Sequence, residues 1–160
     1  MPDSPVLLSL CQFLDSHEIR FRKLDHEATK TSEESARVRG EPLEIGGKAL
    51  LLKVQHDFRL FVFSAAWKLD SAAVRARFQA RKLRFATPQE LADKTGLVPG
   101  SVPPFGEPIL PFPLYVDTSI TKNERIAFNA GSLTTSIIME VADYLRVAQP
   151  EVFPFSDFHA

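Results

Sequence analysis

The spacing of hydrophobic and polar positions changes repeatedly along this chain, and each change marks an element. Val6, Leu7, Leu10, Cys11 and Leu14 recur at three-to-four spacing behind Ser4 and Pro5, a cap and a first-turn proline. That pattern predicts a helix burying one stripe. Ile19 and Phe21 then alternate with Arg20 and Arg22, as a half-exposed strand does. Thr31 and Glu34 have capping-box spacing, so a short helix should run to Val38 before Gly40 and Pro42 stop it. KALLLKV (48–54) and FRLFVFS (58–64) are two β-rich runs separated by Gln55-His56-Asp57, which predicts a hairpin.

Asp70 opens a helical stretch, DSAAVRARFQA, with Val74 and Phe78 on one face and Arg75, Arg77, Arg81 and Lys82 elsewhere. LRFA reads as a short strand, and Thr87-Pro88-Gln89-Glu90 combines an N-cap, a first-turn proline and a capping-box glutamate. Beyond TGLVPGSVPPFG (95–106), LYVD (114–117), RIAFNAG (125–131) and TTSIIME (134–140) read as strands, and VADYLRVAQ as a closing helix ended by Pro150. Strands joined by short turns mix here with helices that do not strictly alternate with them. The expected class is therefore α+β, a mixed, mainly antiparallel sheet, curled or closed into a barrel and flanked by helices. No repeat or linker interrupts it, so residues 1–150 read as one domain and 151–160 as a C-terminal tail.

Composition narrows the setting. A chain of 160 residues that is 44% hydrophobic holds one sizeable core. Its formal net charge of −1 argues against broad coating of DNA or of an anionic membrane. The single Cys11 cannot form an internal disulfide and falls on the apolar stripe of the first helix, where a small buried residue is the expected role. Met1-Pro2-Asp3-Ser4 lacks the basic and apolar blocks of a leader, and no apolar run approaches the roughly 20 residues that span a bilayer. A soluble, cytoplasmic protein without a membrane or DNA partner is expected. The nucleophile elbow, the Walker loop and the dinucleotide fingerprint are all missing. His17, His26, His56 and His159 are too scattered for a local metal motif, so neither metal nor cofactor is expected.

Several segments together resemble a known family. GGKALLLKV, LRFATPQELADKTGLVPGSVPPFG, LYVD and RIAFNAGS, in that order, are similar to the YbaK and prolyl-tRNA synthetase-associated domain family of aminoacyl-tRNA deacylases. The resemblance runs from about Ile19 to Val147. It implies a trans-editing hydrolase that cleaves the ester between a wrong small amino acid and the 3′ end of a tRNA, that for proline above all. The alternative is a non-catalytic homologue that binds tRNA or a synthetase in a regulatory role. The implied partners are the acceptor end of a mischarged aminoacyl-tRNA and an aminoacyl-tRNA synthetase, with the protein a monomer or homodimer.

The resemblance also assigns residues. On its own, a lysine opening a strand reads as a solvated side chain; the resemblance makes Lys48 the group that holds the tRNA 3′ end through phosphate or sugar oxygens. Gly100, Ser101, Val102, Pro103 and Pro104 match the family's Gly-x-x-x-Pro loop, which lines the pocket and offers backbone groups, with Lys48 and Gly100 as the catalytic pair. Fixed N–H donors there would stabilise the oxyanion that develops as water attacks the ester, a contribution of about 2.7–4 kcal/mol per donor. Water activation then falls to the substrate's ribose hydroxyl or α-amine, or to hydrogen-bonded water, and no protein nucleophile is needed.

His26 stands where many relatives carry a histidine, and it either faces the pocket or occupies a surface turn. Asn129 and Ser132 belong to the family's small-residue turn, where Asn129 either contacts substrate or satisfies the turn. Ala49 replaces a hydroxyl residue, and Ser136 aligns with a polar pocket residue of cysteine-clearing relatives. Specificity for cysteine is therefore not implied, and these replacements leave alanine, serine, threonine or another small residue open as the selected amino acid. RARFQARKLR (75–84), with Arg20, Arg22 and Lys23, reads either as a solvated face or as the surface for the tRNA body. Phe58, Phe61 and Phe63 read as packing residues.

Overall fold

The computed structural model describes residues 4–159; Met1 to Asp3, which the leader reading covers, and Ala160 lie outside the described residues. In chain order the elements are α1 (Pro5–Ser16), β1 (Phe21–Asp25), α2 (Ser32–Arg39), a 3₁₀ turn (Leu43–Ile45), β2 (Gly47–Val54), β3 (Asp57–Ser64), α3 (Ser71–Phe78), β4 (Leu83–Phe85), α4 (Pro88–Thr95), β5 (Leu114–Val116), α5 (Thr118–Thr121), β6 (Arg125–Asn129), β7 (Thr135–Glu140), α6 (Val141–Ala148) and β8 (Glu151–Val152). The caps expected from sequence form: Ser4 Oγ accepts the Leu7 N–H, Asp70 caps α3, and Thr87 and Glu90 make a complete capping box.

Two sheets carry the fold. One is wholly antiparallel in the order β1-β7-β6; the other runs β4-β2-β3-β5-β8, antiparallel across β4, β2 and β3 and parallel from β3 through β5 to β8. The β2–β3 turn is one residue shorter than the sequence suggests, because Asp57 pairs with Val54. Gln55 sits at φ 58°, and its side-chain oxygen accepts the Arg81 and Lys82 N–H groups, tying the turn to the approach of β4.

Alternation along the hairpin divides the core. Leu51, Leu60 and Val62 face α1, α6 and the 97–112 segment, whereas Leu52, Val54 and Phe61 face a second, aromatic-rich cluster under α3. Each fully buried Leu, such as Leu10, contributes about 1.5–3 kcal/mol. The two sheets meet where Gly46 bridges Ala127. A Cβ on Gly47 would lie 2.7 Å from Ile126 Cδ1, so with this packing of Ile126 glycine lets the start of β2 seat against β6 and present Lys48 at that seam.

Residues 151–159 do more than trail. β8 adds an edge strand beside β5, and Phe155 is fully buried against Phe61 and Phe153. Asp117, at the end of β5, accepts hydrogen bonds from the N–H groups of Phe155, Ser156 and Ser119 and from Ser156 Oγ, which fixes this segment to the body.

Candidate functional site

A cavity of about 750 Å³ opens at the seam between the sheets. The start of β2 supplies Gly47 and Lys48, α2 and the stretch before it supply Thr29, Ser35 and Arg39, and Gly100, Val102 and Asn129 form the facing wall.

Its floor is a chain of hydrogen bonds. Arg39 is only 9% exposed, although it sits in a helix whose remaining side chains are mostly polar. Nε donates to Ser136 Oγ at 2.9 Å and Nη2 to Asn129 Oδ1 at 3.1 Å, and Asn129 Nδ2 donates to the Gly100 carbonyl at 2.8 Å. Burial pulls the guanidinium down to about 10, so it stays charged at neutral pH. His26 lies behind Ser136. Its Nδ1 is 2.8 Å from the Glu27 carbonyl, which can only accept, so Nδ1 carries a proton. In the neutral ring Nε2 then accepts from Ser136 Oγ, 2.8 Å away. Both ring nitrogens are thus engaged inside the protein.

The facing loop is held from within. Gly100 adopts φ +88°, a left-handed conformation that a side chain would strain. Ser101 Oγ and N–H both bond back to Val98, and the Ser101 carbonyl accepts the Gly131 N–H. Tyr144 Oη donates to the Pro104 carbonyl at 2.6 Å, and burial raises its phenol well above the ordinary value. Of the loop's N–H groups, Ser101 and Phe105 are bonded within the loop and the two prolines have none. Among the described residues, Gly100 and Val102 keep N–H groups without a protein acceptor, and both line the cavity.

Residues 26–147 match the family described as the aminoacyl-tRNA editing domain. The chain belongs to that family. An editing domain of this family is an aminoacyl-tRNA deacylase, a hydrolase of the ester bond, and this chain is such an enzyme. It is 35% identical over 152 residues to the multifunctional Ser/Thr-tRNA deacylase ProXp-y of Escherichia coli K12, covering 91% of this chain and 90% of that protein. It is 30% identical over 118 residues to a proline–tRNA ligase of Shouchella clausii, a match covering 74% of this chain and 20% of the ligase. A solved structure described as a candidate trans-editing enzyme for prolyl tRNA synthetase superposes with TM-score 0.83 at 23% identity, over 98% of this chain and all of that one. The fold is that of the editing domain.

Within this editing domain the residues singled out from sequence divide. Lys48, Gly100, Val102 and Asn129 line the cavity. Ser101, Pro103 and Pro104 are buried behind it and shape the loop. Ser132 Oγ pairs with Thr134 in the turn, 3.0 Å away. Ser136 and His26 sit beneath the floor, where Ser136 Oγ bonds to His26, Arg39 and Asn129. Sequence reasoning missed Arg39, Thr29 and Ser35, as well as Trp67 and Lys68 on the rim. The basic run is partly neutralised, with Arg77 on Glu151 at 2.7 Å and Arg84 on both oxygens of Glu90; Arg22 and Arg125 share Glu41. Phe61 and Phe63 are buried, as packing residues should be. Among the described residues no cluster of three or more His, Cys, Asp or Glu side chains is placed to hold a metal, and no helix is long and apolar enough to cross a membrane.

Proposed function

We propose that this deacylase works in trans and removes serine or threonine from mischarged tRNA, that for proline included. The polar floor carries this reading. Arg39 Nη1 has no acceptor among the described residues, and Thr29 and Ser35, whose hydroxyls lie 2.6 Å apart, stand on the same wall. A substrate hydroxyl finds hydrogen-bonding groups here, whereas an alanyl side chain would leave them unmatched. A site of that kind discriminates far more strongly than an apolar one. The bacterial relative named a Ser/Thr-tRNA deacylase, matched over 90% of its own length, supports the substrate.

The chemistry follows from what faces the ester. Lys48 holds the tRNA end through its phosphate or sugar oxygens. The Gly100 and Val102 N–H groups receive the oxyanion, and their fixed loop carries no cost of reorganisation. Water is activated by the substrate's own hydroxyl or amine, because His26 is committed on both nitrogens. Lys48 and Gly100 are thus the residues closest to the reaction. An aminoacyl-tRNA synthetase is the natural partner, since a proline–tRNA ligase contains a segment similar to most of this chain, and a cytoplasmic location fits work on tRNA.

The test is a deacylation panel of proline tRNA bearing serine, threonine, alanine or cysteine, run with wild type and Lys48→Ala. Serine and threonine esters are expected to be hydrolysed at least about tenfold faster than alanine. The Lys48→Ala variant should lose most activity while keeping its melting temperature. Hydrolysis of none of the four above the buffer rate would falsify the reading.

A further inference from the structure

Trp67, the only tryptophan of the chain, lines the same cavity as Lys48, Arg39 and Gly100, yet it has no part in the chemistry above. It is 37% exposed, unusual for so large an apolar side chain. Among the described residues its one ring contact is with Phe158, centroids 5.2 Å apart and planes 69° inclined. A T-shaped contact of that kind leaves aromatic surface open for stacking.

The loop that carries Trp67 is braced on both sides. The Trp67 N–H bonds to the Ser64 carbonyl, and Ala65 N–H to Gly46. Lys68 N–H donates to Asp157 Oδ1 at 2.7 Å, Asp157 N–H returns to the Lys68 carbonyl at 3.0 Å, and Leu69 bridges Ser156. Asp117 in turn anchors Phe155 and Ser156. The C-terminal segment thus holds an exposed indole at the cavity mouth.

The cavity is also too large for its amino acid. About 750 Å³ lies in the range of sites that enclose a whole drug-sized ligand, far more than a seryl or threonyl group fills. The group joined to that amino acid through the ester is a nucleoside. Lys30, Lys48 and Lys68, all exposed, line the same cavity and supply cations for its phosphates.

We propose that Trp67 is the stacking platform for the 3′-terminal adenine of the aminoacyl-tRNA, with Phe158 as its positioning residue. This rests on the deacylase reading above, and the test separates the two. Because Trp67 is the sole tryptophan, its emission reports directly on its own face. Titration with the uncharged trinucleotide CCA should quench that emission, and the same trinucleotide with an abasic 3′ nucleoside should not. In deacylation of seryl-tRNA, Trp67→Ala should raise KM about 5- to 100-fold with kcat little changed, and Trp67→Phe should restore most of the loss. A wild-type KM in Trp67→Ala, or saturation by CCA with unchanged emission, overturns the platform while leaving the deacylase intact. Adenine-dependent quenching in a protein that hydrolyses no mischarged tRNA keeps the platform and overturns the activity reading instead.

Discussion

Asp117 and Arg39 are the charged side chains most completely buried among the described residues, and the fold treats them in opposite ways. Both Asp117 oxygens are saturated by protein donors, from Ser119 on one side and from Phe155 and Ser156 on the other. Arg39 meets only neutral partners, Ser136 and Asn129, and faces the cavity with one nitrogen unused. A buried charge satisfied on every side belongs to the scaffold. One that is desolvated, uncompensated and open to a cleft marks a site.

The sharpest way to break that contrast is Asp117→Ala. It strands four donors in the interior and should cost about 3 kcal/mol or more, a fall in Tm of roughly 6–12 °C. Urea and thermal melts read the loss. A Tm within about 2 °C of wild type would show that the C-terminal segment does not depend on this carboxylate.

Arg39→Met should behave the other way round. It removes an uncompensated buried charge and leaves two acceptors, Ser136 Oγ and Asn129 Oδ1, without that donor, so the loss of stability should stay well below that of Asp117→Ala. Activity should fall instead, by about 10- to 100-fold in kcat/KM on seryl-tRNA, the value of one or two charge-assisted hydrogen bonds. An active enzyme carrying this substitution would move Arg39 from the site to the scaffold.

The smallest effect is expected at Glu90, a half-buried surface charge that belongs to neither class. The hydrogen bond from Arg84, followed by that from the Thr87 N–H, holds its carboxyl down to about 2. A depressed folded-state value means that the stabilisation is fully present above pH 4.5, the group's ordinary value, and is lost as pH falls toward 2. Glu90→Gln should therefore flatten the dependence of Tm on pH across that window and shift Tm at pH 7 by only about 2 °C. An unchanged slope between pH 5 and pH 2 would show that the pair contributes nothing to folding.

The same contrast explains what could be read in advance. The capping role of Glu90 was legible because Thr87 is three residues away, within reach of a local rule; its pair with Arg84, six residues away, was not read. Most strands and the packing role of Phe61 were legible because a β-rich apolar run bounded by turn residues marks a core strand, and this one is buried on both faces. Asp117 was not, since three of its four donors stand 38 and 39 positions along the chain and look like part of a polar tail. Arg39 was harder still. Arg37 and Arg39 share one short helix and read alike, and only the packing of α2 beside β6 and β7 exposes the first and buries the second. Lys48 and the glycine loop came from resemblance, whereas Gly47 shows a physical reason for the pattern: the space that a Cβ would occupy is taken by Ile126.

The loop facing Arg39 is half surface and half core. Pro99 and Gly100 are exposed, but residues 101–106 are buried without a break. Anyone wishing to redirect this pocket toward a different amino acid has little freedom on that side, because any enlargement there also disturbs the hydrophobic interior. The wall opposite is built from Thr29, Ser35 and Arg39, none of which belongs to the hydrophobic clusters. On the proposed reading, selectivity can drift on that side without disturbing the apolar interior.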